Sequence, residues 1–273
     1  KQVLANPQGP AIANGQLLVS IASKNTLSSI ETGLPQSGQV TATAVSATTI
    51  NNFRGIAFVR LGTTGTAPDT LYVAANDAGS GQIQKYVLQS GTWTLKGTAA
   101  LNGVHGLIAL PTGDGNALLF ATDSSGQLNQ LFDTSGAQGA LAATPTLVPG
   151  MPAGQQLLGL ALTPETTPPA SVPTAPSKAT ASFNGTAAVV QWTVAPSGAP
   201  AAFYVVEASH DNFATVDKSV VSTGNTAELS GLQSGSQKVR VRAVNSLGGS
   251  ASVQSAAFVV GTAPSASLPN PTA

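Results

Sequence analysis

His105 and His210 are the only imidazoles in this 273-residue chain, so any acid–base or nucleophilic chemistry that needs histidine must be built around one of them. The stretch GVHGLIALPTGDGNALLFATDSSG, residues 103–126, follows His105 with Asp114, Asp123 and Ser124. A hydroxyl, an imidazole and an orienting carboxylate are the parts of a hydrolytic triad, but membership depends on geometry and not on presence. Asp114 and Asp123 also stand in Gly-rich turns, where an aspartate bonds nearby backbone groups and tolerates unusual dihedrals. Neither turn offers oxygen ligands at the alternating positions a calcium loop needs. With no cysteine anywhere, thiol nucleophiles, thiolate metal sites and disulfides are excluded. No catalytic, cofactor-binding or metal-binding set is therefore assigned, and no cofactor is expected. The remaining candidates are Lys238, Arg240 and Arg242, which alternate along KVRVRAVN and share the outer face of one strand. Such a stripe suits an anionic polysaccharide or an acidic neighbour. It equally suits a solvated strand face, with Glu207 as a cross-strand partner.

The composition narrows the partner classes. Eleven basic and eleven acidic residues give zero net charge, and only 8% of residues are charged while 42% are hydrophobic. No global field steers nucleic acid to this chain. No apolar run approaches the roughly 18 residues of a membrane helix. The chain opens KQVLANPQGP, with neither an initiator Met nor a signal peptide, which reads as a processed or truncated product. The cysteine-free, Thr/Ser/Gly/Ala-rich profile suits a bacterial extracellular protein.

The elements that position these residues repeat. Gly55 in NNFRGIAFVR, Gly106 in NGVHGLIALP and Gly159 in QQLLGLALTP stand 51 and 53 residues apart. A second phrase follows the first two glycines, as DTLYVAANDAGSGQIQKYVL and NALLFATDSSGQLNQLFD, and an earlier copy reads GQLLVSIASKNTLSSIE. Each is an apolar strand, a polar turn and another alternating strand. Units of roughly 50 residues with four short strands match a β-propeller blade, whose crowded inner strand favours glycine. Through FRGIAFVR, VHGLIALP and LLGLALTP, residues 1–165 resemble the propellers of secreted bacterial proteins. About three blades are present, the first begun partway, whereas closed propellers hold four to eight, so either the missing blades sit on another chain or an upstream fragment, or these strands form a sandwich or a solenoid instead. Trp93 reads as a blade-packing residue, and His105 fills the slot of Arg54, near a channel mouth.

Five prolines in TPETTPPASVPTAPS mark a boundary, with a Pro-rich linker at 166–176. Beyond it, AAVVQWTV places Val190, Trp192 and Val194 on one face, AFYVVEAS places Tyr204 and Val206, and KVRVRAVN places Val239, Val241 and Ala243. With Trp192 on the second strand, Tyr204 on the third, ELSGLQSGSQ, and VRVRAVNSLGGS on the sixth, residues 177–261 resemble a fibronectin type III domain. The departure is Gln237, where that family commonly has the tyrosine of its corner. Residues 262–273 read as an extended tail.

The resemblances imply an all-β chain, a partial propeller followed by an immunoglobulin-like sandwich, used for spacing, adhesion or assembly. The expected function is that of an extracellular or cell-surface structural protein, of filament or appendage type, acting by protein–protein association. Its expected partner is another protein or further copies of itself completing the propeller edges, with polysaccharide a second candidate and no membrane insertion within this chain. Two rivals are a non-catalytic fragment of a secreted carbohydrate-active enzyme and a carbohydrate-binding adhesin reading sugars with Trp93.

Overall fold

The computed structural model describes residues 7–21, 26–35, 42–45, 53–65, 67–77, 80–148, 155–162 and 169–261. The tail at 262–273 and the first part of the linker, 166–168, lie outside the described residues. Among the described residues, no helix is long and apolar enough to cross a membrane. The chain divides into two compact units, Lys1–Pro168 and Pro169–Ala273.

In the first unit, three four-stranded antiparallel meanders follow one another. The first comprises β1 (Pro7–Ala13), β2 (Gln16–Ile21), β3 (Thr26–Ile30) and β4 (Ala42–Ala44). The second comprises β5 (Phe53–Val59), β6 (Thr70–Asp77), β7 (Ser80–Gln89) and β8 (Thr92–Ala100). The third comprises β9 (Leu107–Gly113), β10 (Asn116–Thr122), β11 (Leu128–Asp133) and β12 (Thr146–Leu147). Sequence sets the hairpins: Asn14–Gly15, Ser90–Gly91 and Asp114–Gly115 all have positive φ, the two-residue turn whose twist matches that of the flanking strands. The first meander has all four strands, so the first blade is not begun partway as the repeat phrase suggested.

The meanders stack as blades, with β1 packed on β5 and β5 on β9. Period-two alternation gives the middle sheet two apolar faces. Leu71, Val73, Ala75, Tyr86 and Trp93 pack with Leu18 and Leu27 of the first sheet. Tyr72, Ala74 and Ile83 pack with Leu107, Ala117, Leu119, Ala121 and Leu131 of the third. The glycines sit where inner strands meet. A Cβ on Gly9 would lie 2.6 Å from Arg54 O, and one on Gly55 would lie 2.8 Å from His105 O. One on Gly106 would lie 2.9 Å from Leu160 N. Gly9 is thus a fourth member of the series, preceding the three legible in the sequence.

The second unit pairs a three-stranded sheet with a larger one. The first orders β13 (Lys178–Phe183), β14 (Ala187–Thr193) and β17 (Thr226–Ser230). The second orders β16 (Lys218–Ser222), β15 (Phe203–Ser209), β18 (Gly235–Asn245) and β19 (Gly248–Gly249), with β20 (Val253–Gln254) and β21 (Phe258–Val260) also paired to β18. This is the fibronectin type III arrangement. Trp192, Tyr204, Val190, Val206, Val239 and Val241 fill the space between the sheets, and the Trp192 and Tyr204 rings lie 5.2 Å apart. Val194 falls past the end of β14 and is exposed, instead of sharing the inner face. Gln237, at the corner position, is buried, and its Nε2 donates to Gln233 O at 3.1 Å, four residues upstream, while its Oε1 is buried without a hydrogen-bond partner.

Truncation of Trp192 to Ala should cost about 3–5 kcal/mol, as for other buried aromatic deletions, measured by denaturant unfolding of the second unit. Gln237→Leu should lower stability by about 1 kcal/mol through the lost corner bond. A neutral result for Gln237→Leu would mean that the glutamine only fills space.

Candidate functional site

The densest chemistry in the chain lies between the second and third blades. Lys85, inward on β7, reaches Asp133 at the end of β11, with Nζ 2.8 Å from Oδ2 and side chains 0% and 1% exposed. The ammonium also donates to Ser135 Oγ at 3.0 Å and Gly136 O at 2.6 Å. Asp133 accepts from the Tyr72 hydroxyl at 2.6 Å, and from the Ser135 backbone N–H and hydroxyl at 3.0 and 2.5 Å. Burial, reinforced by the neighbouring Asp133 carboxylate, holds the Tyr72 phenol well above its ordinary value of 10, so it remains a donor. Three donor sites on the lysine meet three acceptors, which is how a buried charge is made tolerable. The lysine nitrogen is fully committed to these three acceptors, and the arrangement is a polar lock between blades. The sequence reading missed it, although a signal was there. Aligned on Gly33, Gly91 and Gly136, Asp133 occupies the position of Ile30 and Leu88, and Lys85 that of Leu27.

A second ion cluster corrects the reading of the basic stripe. Arg242 is only 1% exposed, and Arg240 and Glu207 are buried beside it. Arg240 Nε donates to Glu207 Oε2 at 2.6 Å, and Arg242 lies 3.5 Å from the same oxygen. Phe213, held at positive φ in the loop after β15, stacks over the Arg240 guanidinium at 4.6 Å. Only the half-buried Lys238 remains near the surface, where it donates to Asn212 at 2.9 Å. The face expected to be solvated is therefore withdrawn from water: Glu207 compensates the guanidinium charge, and a loop covers part of the strand. Cross-strand pairing with Glu207 is present as expected.

The histidine region is engaged in backbone turns. His105 N donates to Thr122 O at 3.0 Å. Asp123 accepts from Ser125 N, Gln127 N and Asn129 Nδ2 at 2.9–3.0 Å, and Ser124 N donates to Asn102 O at 2.9 Å. Asp114 is a turn residue at φ 51°. Arg54 and His105 do hold equivalent slots, each placing its carbonyl oxygen where a Cβ on the glycine of the preceding inner strand would fall. Trp93 is buried, edge-on to Phe58 at 5.7 Å. His210 lies on the other unit, its Nδ1 2.8 Å from Asp217 Oδ1. Among the described residues, no three His, Asp or Glu side chains form a group able to hold a metal.

No family model matches this chain, and no curated protein does. Among solved structures, "FN3tt mut" is 20% identical, with 34% of this chain and 98% of that one covered at a TM-score of 0.27. A two-domain fibronectin type III segment of chicken tenascin is 14% identical, with 72% and 95% covered at 0.28. The six-bladed β-propeller lectin of the fungus Aleuria aurantia is 12% identical, with 96% and 80% covered at 0.36. None reaches a TM-score of 0.5, and the fold assignment rests on the strand orders above.

Lys85→Met should destabilise the first unit by about 3–5 kcal/mol by orphaning a buried carboxylate. The double substitution Lys85→Met/Asp133→Leu should recover most of that loss, read by thermal unfolding. Additive losses would show that the two groups do not act as a pair. In the second unit, Asp217 raises the His210 pKa above 6.5 by hydrogen bonding and charge. Hydrogen bonds from Thr215 and Ser209 lower Asp211 from 3.8 to about 2. The His210 contribution should be complete below pH 6.5 and fade as pH rises through its folded value. That of Asp211 should be complete above pH 3.8 and fade as pH falls through about 2. NMR titration of both groups tests the two directions.

Proposed function

We propose that this chain is a non-enzymatic structural module of an extracellular bacterial surface or appendage protein, acting by protein–protein association. The observation that carries this reading is an exposed inner segment that joins no sheet among the described residues. After the third blade, residues 155–162 run beside Gly106 as the start of a fourth inner strand but belong to no sheet. They leave Leu158 77% and Leu162 48% exposed. An inner segment that joins no described sheet, tied to the third blade by Leu157 N donating to Gly126 O at 2.9 Å and carrying bare leucines, calls for a protein partner.

The charged groups favour the same reading. Lys85, Asp133, Glu207, Arg240 and Arg242 are occupied in internal clusters. Asp69 accepts from Leu61 N and Gly62 N, fixing a loop. The burial of Trp93 and Trp192 argues against an aromatic sugar platform made from either tryptophan.

Association through strand edges and apolar side chains should survive 1 M salt, where screening lengths fall to about 3 Å. Sedimentation of the protein at low and high salt tests this. Strictly monomeric material that turns over a glycan would replace the structural reading with that of an enzyme fragment.

A further inference from the structure

We propose that the inner-strand series continues from one molecule into the next, residues 155–162 receiving β1 of a second copy head to tail. This rests on the association reading above and specifies its partner and its contact. Each seam within the chain is built alike: a glycine without a Cβ lies against the backbone at or beside the next glycine of the series. Gly9 lies against Arg54 and Gly55, Gly55 against His105 and Leu107, and Gly106 against Gly159 and Leu160. Gly159 alone breaks the pattern, since a Cβ built there would meet nothing within 4 Å among the described residues. The surface shaped for a further inner strand is present without that strand.

The other end of the chain supplies the complementary piece. β1 is itself an inner strand of this repeat. It has a neighbour on the side of β5, while Ile12, pointing away from the packed side of Ala11 and Ala13, is 64% exposed. Ile12 at one end thus matches Leu158 and Leu162 at the other, and a net charge of zero opposes no approach between copies. The two surfaces differ, so the contact is heterologous, and such contacts either close into rings or propagate as filaments.

The chain holds no cysteine, so single thiols can be introduced without competition. Ile12→Cys and Leu158→Cys proteins, mixed and treated with a short bismaleimide, should yield the 12–158 adduct well in excess of the 12–12 and 158–158 adducts. Gly159→Trp, placed in open space, should weaken association about tenfold or more while leaving the melting temperature of the monomer unchanged. Melting is the control for folding, and Leu158→Asp provides a second variant at the same surface. Assembly that persists in both variants, or that gives only same-site adducts, would overturn the head-to-tail contact while leaving association itself intact. A protein that stays monomeric at every attainable concentration would overturn self-association. Binding of a different polypeptide at Gly159 would then keep the broader reading alone.

Discussion

Backbone-to-backbone packing of the inner strands governs the first unit. Where Gly9, Gly55 and Gly106 meet their neighbours, a single methyl group would sit within 3 Å of a backbone atom. Backbone cannot swing aside as a flexible side chain can, so these positions exclude every residue with a Cβ. Close approach at the inner strands sets how the sheets diverge outward. The wedges on either side of the middle sheet are filled by Phe53, Ile56, Val73 and Trp93 on one side and by Tyr72, Leu107, Leu119 and Leu131 on the other. Blade geometry and core composition follow from that one contact.

The two wedges are filled by different physics. Between the first and second blades the packing is apolar, with Leu27 at the position that Lys85 occupies one blade later. Between the second and third, a lysine and an aspartate are taken out of water together. The Coulombic gain of such a pair is largely offset by desolvation. Its main effect is directional: Lys85 must find three acceptors at once, and only one mutual placement of the blades supplies them. Apolar surfaces tolerate small slides that this network does not.

Much of the architecture was legible because backbone constraints write themselves into residue type. Gly55, Gly106 and Gly159 gave the period, the polar turns between alternating runs gave the strand pairs, and Trp192 with Tyr204 gave the sandwich core. Gly9 was overlooked because QGPAIANG is short and flanked by proline, so it lacks the apolar run that marks the other copies. The polar groups were read less well. Alternation places Arg240 and Arg242 outward on β18, but it cannot say whether a loop bearing Phe213 lies across that face. The Lys85–Asp133 lock joins different strands of consecutive repeats, 48 residues apart, a pairing that no local pattern encodes. Gln237 looked like a loss because residue type suggested a missing phenol, whereas an amide of similar reach donates to the same kind of carbonyl.

The contrast between the wedges bears on how the unit comes apart. A junction held by dispersion alone can open by degrees, admitting water along an apolar seam. One closed by a buried charge pair cannot part slightly, since partial opening loses the attraction before either ion is fully rehydrated. The buried pair thus favours joint opening of the second and third blades over their gradual separation. Amides of β2 and β3 would exchange with solvent through local fluctuations, while those of β6 and β10 would wait for that joint opening.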